Sequence, residues 1–125
     1  KLVLQWGAVP LKTSVSTTVE LEFKRAEPKD VYAQIIADFT QARNLLPTSG
    51  GPSRLTKDAA AHFLAKAYLS RASEINSAWN GSTVAADLAA AVTLCDGVIA
   101  NHPLASNFAL GLVISSTVAM ASAGI

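Results

Sequence analysis

Apolar positions recur at helical spacing in three stretches of this chain, and each stretch carries start and stop signals. The first opens at Pro28, which needs no amide partner and brings a preset φ to a first helical turn. Val31, Ile35, Phe39, Ala42 and Leu46 form its stripe, with Tyr32 and Ile36 beside it and Asp30, Gln34, Asp38 and Gln41 opposite. Pro47 and Ser49-Gly50-Gly51-Pro52 stop it. The second takes Thr56 as its N-cap, and Asp58 complements the positive end of the helix dipole. From Ala59 to Leu69 it is apolar round most of its circumference, leaving Asp58, His62, Lys66, Ser70 and Ser73 as a narrow polar strip. Such a helix is packed on several sides. A loop over residues 76–82 leads to the third, whose stripe reads Val84, Leu88, Ala91, Cys95 and Ile99 and which ends at Asn101-His102-Pro103.

Residues 1–24 follow another pattern. The stretch 15–22 is rich in threonine, valine and serine, and Val19-Glu20-Leu21-Glu22-Phe23 alternates, so an extended arm or a short strand is expected there. The organisation expected is an arm over 1–24, a helical region over 25–105 and an apolar, uncharged tail over 106–125. The fold class is all-α in the main: tetratricopeptide-like helical hairpins with an extended N-terminal arm, forming an incomplete domain. Alanine-rich contact faces and a modest loop suit such hairpins, although the full tetratricopeptide pattern is missing.

Composition agrees. Half of the 125 residues are hydrophobic, yet 23 are alanine and only 8 aromatic, which favours closely packed helices over a sheet. Ten basic residues against nine acidic ones argue against a nucleic-acid binder, which needs a clustered positive surface. The single cysteine excludes an internal disulfide and a multi-cysteine zinc site. No secretory signal opens the chain. It starts inside an apolar pattern with no initiator methionine, and so reads as a segment of a longer protein.

Candidate chemistry is sparse. His62 lies on the polar strip of the second helix and His102 at the end of the third, which suit solvated or capping roles; no catalytic or zinc motif accompanies them. The run Ser49 to Lys57 lacks the Gly-Lys-Ser/Thr ending of a phosphate cradle and reads as a turn plus a capped helix start. Cys95 falls on an apolar stripe, where a thiol behaves as a small hydrophobe. Asn80-Gly81-Ser82 matches the glycosylation acceptor pattern, a match short enough to arise by chance. Trp79 has two readings: a platform for a sugar or partner surface, or a ring folded back over the small-residue core. It is the candidate ligand-binding residue; Trp6 shares the ambiguity. No enzyme, cofactor or metal site is expected. The tail from Phe108 to Ile125 has eighteen uncharged residues, but its serines, threonines and glycines and its unmarked ends favour a core segment over a membrane span.

Several stretches together resemble the SusD/RagB family. Trp6-Gly7-Ala8-Val9-Pro10-Leu11 is similar to its aromatic-Gly-Gly-Val-Pro-Leu segment, and Lys24 to Phe39 to its Arg-Ala-Ser … Val-Tyr helix. Ala42 and Leu45-Leu46-Pro47 extend that match. Ser53-Arg54-Leu55-Thr56-Lys57-Asp58-Ala59-Ala60-Ala61 and Leu64-Ala65-Lys66-Ala67-Tyr68-Leu69 resemble its Gly-Arg-x-Thr-Lys … Leu-Ala-Arg-x-Tyr-Leu helix. After the third helix His102-Pro103-Leu104 stands where the family has Tyr-x-Leu. The likeness runs over about residues 5–108. It implies part of a nutrient-binding lipoprotein on the extracellular face of the outer membrane of Bacteroidetes-type bacteria. Such a protein captures a glycan or other nutrient and passes it to a SusC-type TonB-dependent transporter. The lipidated cysteine of the family is missing from this sequence, and the charge-free tail departs from the family's polar continuation. The matched motifs are helix-packing motifs, so the resemblance implies scaffold and transporter-facing surface here. The rival readings are a helical-repeat module with a peptide partner and a small membrane-anchored protein.

Overall fold

Helix α1 (Leu2–Trp6) forms because one turn is enough to seat Val3 against Val31 and Tyr32. The amide of Gly7 donates to the Val3 carbonyl at 3.0 Å, with φ +66° and ψ −119°, a conformation open to glycine and strained for other residues. A Cβ at Gly7 would meet nothing within 4 Å, so the cost of Gly7→Ala is purely conformational. A loss of about 1–2 kcal/mol in urea unfolding is expected; an unchanged midpoint would remove the argument.

The computed structural model describes residues 1–51 and 53–104. After Gly7 the chain makes strand β1 (Val9–Pro10), which pairs antiparallel with β2 (Arg25–Ala26) in the register Val9↔Ala26 and Pro10↔Arg25. Of the two readings of Val19–Phe23, an extended arm or a short strand, the strand does not form. Residues 11–24 have no regular structure, and Val19, Leu21 and Phe23 are exposed. Alternation makes a strand only when a face is buried, and here no partner surface lies under it. Instead an ion pair from Lys12 to Glu20 closes the excursion, with Lys12 also donating to Ser16 and lying over the Phe23 ring at 5.3 Å. Nor is residues 1–24 wholly an arm, since α1 occupies its start.

Helix α2 (Pro28–Leu45) begins with Pro28 in its first turn, and the Glu27 carbonyl accepts from the amides of Asp30 and Val31. Its stripe from Val31 to Leu46 is buried or half-buried as expected. Helix α3 (Lys57–Arg71) starts at Thr56, whose hydroxyl accepts from the Ala59 amide at 3.4 Å. The Lys57 amide donates to the Pro47 carbonyl at 2.8 Å, clipping the start of α3 to the end of α2.

Alpha-3 is the middle layer. It packs on α2 along one side and, along the other, on α5 (Val84–Asn101), reached through a 3-10 turn (Glu74–Asn76) and the short helix α4 (Ser77–Asn80). The loop expected over 76–82 is thus largely helical. Ala61, Leu64, Ala65, Ala91 and Leu94 form the main core, with Ile36, Phe39, Tyr68, Cys95 and Val98 against it. The alanines let the helix axes approach, while Leu64 and Leu94 supply bulk, about 1.5–3 kcal/mol each on full burial. Cys95 is half-buried among hydrophobes, a packing position.

The buried face of α5 is a correction. Of the expected stripe Val84, Leu88, Ala91, Cys95 and Ile99, Ala91 is buried and Cys95 half-buried, but Leu88 and Ile99 are exposed, and Asp87 and Leu94 are buried instead. Alpha-5 is turned by about one residue because Asp87 has a partner inside. Val84–Asn101, at mean hydropathy 1.5, is long and apolar enough to cross a membrane, yet it docks on α3. The tail from Phe108 lies outside the described residues.

Candidate functional site

The corner joining α3 to α5 holds the largest concentration of buried polar groups. Asp87, only 1% exposed, receives two bonds from the Arg71 guanidinium, Nε to Oδ2 at 2.8 Å and Nη2 to Oδ1 at 2.5 Å. Each charge also lies at the favourable end of a helix dipole, Arg71 in the last turn of α3 and Asp87 in the first turn of α5. Hydrogen bonding to Asp87 raises the Arg71 pKa above its ordinary value, with burial opposing and the carboxylate's charge assisting. The stability this adds is therefore fully present below the ordinary guanidinium value. As far as the guanidinium's own titration is concerned, it is lost as pH rises through the raised value.

Two asparagines finish α3. Asn76 Nδ2 donates to the Ser70 carbonyl at 2.8 Å, and Asn80 Nδ2 donates to the carbonyls of Arg71 at 2.7 Å and Ser73 at 3.0 Å. They donate to carbonyls that a helix end leaves without a partner. The same bonds answer the glycosylation pattern at Asn80: its amide nitrogen is occupied and the residue is 2% exposed, so the folded chain offers no acceptor there.

Trp79, on α4, is half-buried and belongs to the Val3–Val31–Tyr32 cluster, with its ring 5.9 Å from that of Tyr32 at a tilt of 37°. The Tyr32 hydroxyl bonds to that of Ser70 at 2.7 Å. Trp6, by contrast, is exposed at the end of α1. His62 is exposed and meets the Phe63 ring edge-on. His102 pairs with Asp58 at 3.0 Å, tying the end of α5 to the start of α3. The 49–57 run makes a turn, with the Arg54 amide on the Gly51 carbonyl at 2.9 Å, before the capped start of α3. Among the described residues no three His, Cys, Asp or Glu side chains converge as a metal site would require.

Two of the concavities that flank these helices bear on a site. An apolar groove of about 390 Å³ runs between α1, α2 and α3, lined by Leu4, Tyr32, Phe39 and Phe63 with Lys66 and Ser70 at hand. Phe39 and Phe63 stack at 5.9 Å, and Phe63 remains half-exposed. A more polar cleft of about 500 Å³ lies where the end of α2, the start of α3 and the end of α5 meet, around Arg43, Lys57, Asp58 and His102. Sequence reasoning singled out Trp79 as a candidate and Asn80 only as part of a glycosylation pattern, and it passed over Arg71, Asp87 and Asn76. Only the placement of Arg71 and Asp87 at opposite ends of successive helices hinted at a pair.

Comparison with curated proteins and with solved structures gives no match. A family model described as SusD-like, starch-binding associating with outer membrane, matches residues 1–69. That span takes in α1, the β1–β2 pair, α2 and all but the last two residues of α3. It is more than half the chain and agrees with the helical architecture. The chain therefore belongs to the SusD-like family, a family of binding proteins rather than enzymes, described as starch-binding and associated with the outer membrane.

Proposed function

We propose that this protein takes part in nutrient-glycan capture on the extracellular face of the outer membrane, held there by a lipid anchor, and hands its ligand to a SusC-type TonB-dependent transporter. The observation that carries the reading is the family match over residues 1–69. The glycan is held by aromatic stacking and hydrogen bonds, while the helical region over 25–105 serves as scaffold and transporter-facing surface beside the 1–24 arm. Trp79 is the candidate stacking residue; its ring already leans on Tyr32, so only its remaining surface is open to a sugar. The Leu4–Phe39–Phe63 groove suits a protein partner better than a sugar, since its lining is mostly hydrocarbon with few hydroxyl partners.

Co-purification of the full chain with its TonB-dependent transporter tests the hand-off. A stable complex is expected, and Phe63→Glu should weaken it about tenfold or more at an unchanged circular dichroism spectrum. Failure of the wild-type chain to associate would sink the transporter role. The scaffold role has its own check: calorimetric titration with maltoheptaose should show no saturable binding to this chain, and tight binding would replace it with a ligand site.

A further inference from the structure

The polar cleft between α2, α3 and α5 holds two cations that neither the packing nor the transporter role uses. Arg43, in the last turn of α2, and Lys57, first in α3, both line it, and neither has a carboxylate partner among the described residues. The one acid in the cleft, Asp58, is already engaged. Its Oδ2 accepts from Asn101 Nδ2 and meets His102 Nε2, each at 3.0 Å, so its charge is directed toward the α5 end. Two cations therefore remain for an outside anion. Thr48 and Thr93 add hydroxyls; Thr93 spends its proton on the Ala89 carbonyl at 3.0 Å and keeps lone pairs to accept with. Ala61, Leu94 and Val98 give an apolar floor. Beside it Gly97 leaves open space, with nothing within 4 Å of where its Cβ would be.

We propose that this cleft binds an anionic, hydroxyl-bearing small molecule of the acidic-sugar class, its carboxylate or phosphate between Arg43 and Lys57 and its hydroxyls against the threonines. A guanidinium fork and an ammonium suit either anion, because both present paired oxygens. The floor accepts the C–H face of a sugar ring, and about 500 Å³ accommodates one or two such rings. The site goes beyond the transporter role and stands or falls separately from it.

The test is titration of the full chain with glucuronate, glucose 6-phosphate, inorganic phosphate and glucose, followed by amide NMR shifts at Thr93, Gly97 and Asn101. Saturable shifts with one or both acidic sugars, and none with glucose, are expected. Arg43→Gln and Lys57→Gln should each weaken binding about tenfold, the loss of one charge-assisted hydrogen bond. Gly97→Leu fills the open space while improving helix propensity, so it should abolish binding without lowering the thermal midpoint. Absence of saturable shifts, equal shifts with glucose, or binding in Gly97→Leu as in the wild type would overturn the proposal. Inorganic phosphate bound as tightly as the sugars would overturn it too, reducing the cleft to a simple ion site.

Discussion

Replacing Arg71 with methionine is expected to destabilise the chain by about 3–5 kcal/mol, because it leaves the Asp87 carboxylate buried with no counter-charge. Asp87 is 1% exposed and takes both of its strong bonds from that one guanidinium. Arg71 also lies 5.7 Å from the Tyr68 ring centroid, so its removal disturbs packing as well. A loss of this size is a large share of the 5–15 kcal/mol that holds a typical domain together. Urea unfolding of the single variants and of Arg71→Met with Asp87→Leu separates the causes. The double variant should recover much of the loss, since an apolar pair carries no desolvation cost. If Arg71→Met shifts stability by less than about 1 kcal/mol, the pair is not what holds the corner.

Asn80→Ala is expected to cost about 1–3 kcal/mol, the loss of two side-chain hydrogen bonds, although the Ser73 carbonyl keeps the Asn76 amide at 3.0 Å. Those two bonds go to the carbonyls of Arg71 and Ser73. Asn76 reaches the Arg71 carbonyl only at 3.4 Å and cannot stand in for Asn80. Asn80→Asp makes the sharper control, since a carboxylate of nearly the same shape has no proton to give. Thermal unfolding should place both variants well below the wild type. A wild-type midpoint for Asn80→Asp would mean that water satisfies the carbonyls.

The helix starts were readable because each has a local chemical mark: Pro28 with its fixed φ, Thr56 with its capping hydroxyl. The stripe of α2 was readable because large apolar residues alternate with charged and amide side chains. Alpha-5 offered no such contrast. Ala85, Ala86, Ala89, Ala90 and Ala91 surround its axis, and nothing in hydropathy says which alanine faces inward. Its true face is set by Asp87, a residue that pattern reading assigns to solvent, and by a partner sixteen positions earlier across a turn. The corner asparagines were hidden for the same reason, since a polar side chain in a connector reads as solvated until the carbonyls it serves are in place. The polar cleft needed three helix ends brought together, which no single stretch of sequence encodes.

The bonds of the corner all span sixteen residues or fewer, whereas α1 is held chiefly by Val3 reaching Val31 and Tyr32 across a long excursion. The closure entropy of the corner is correspondingly small. Amide hydrogen exchange will therefore be graded along the chain. Protection should be greatest in the facing turns of α3 and α5, and α1 should peel away at a fraction of the global cost. Each such opening bares Tyr32 and Val31 while the helices behind them stay zipped.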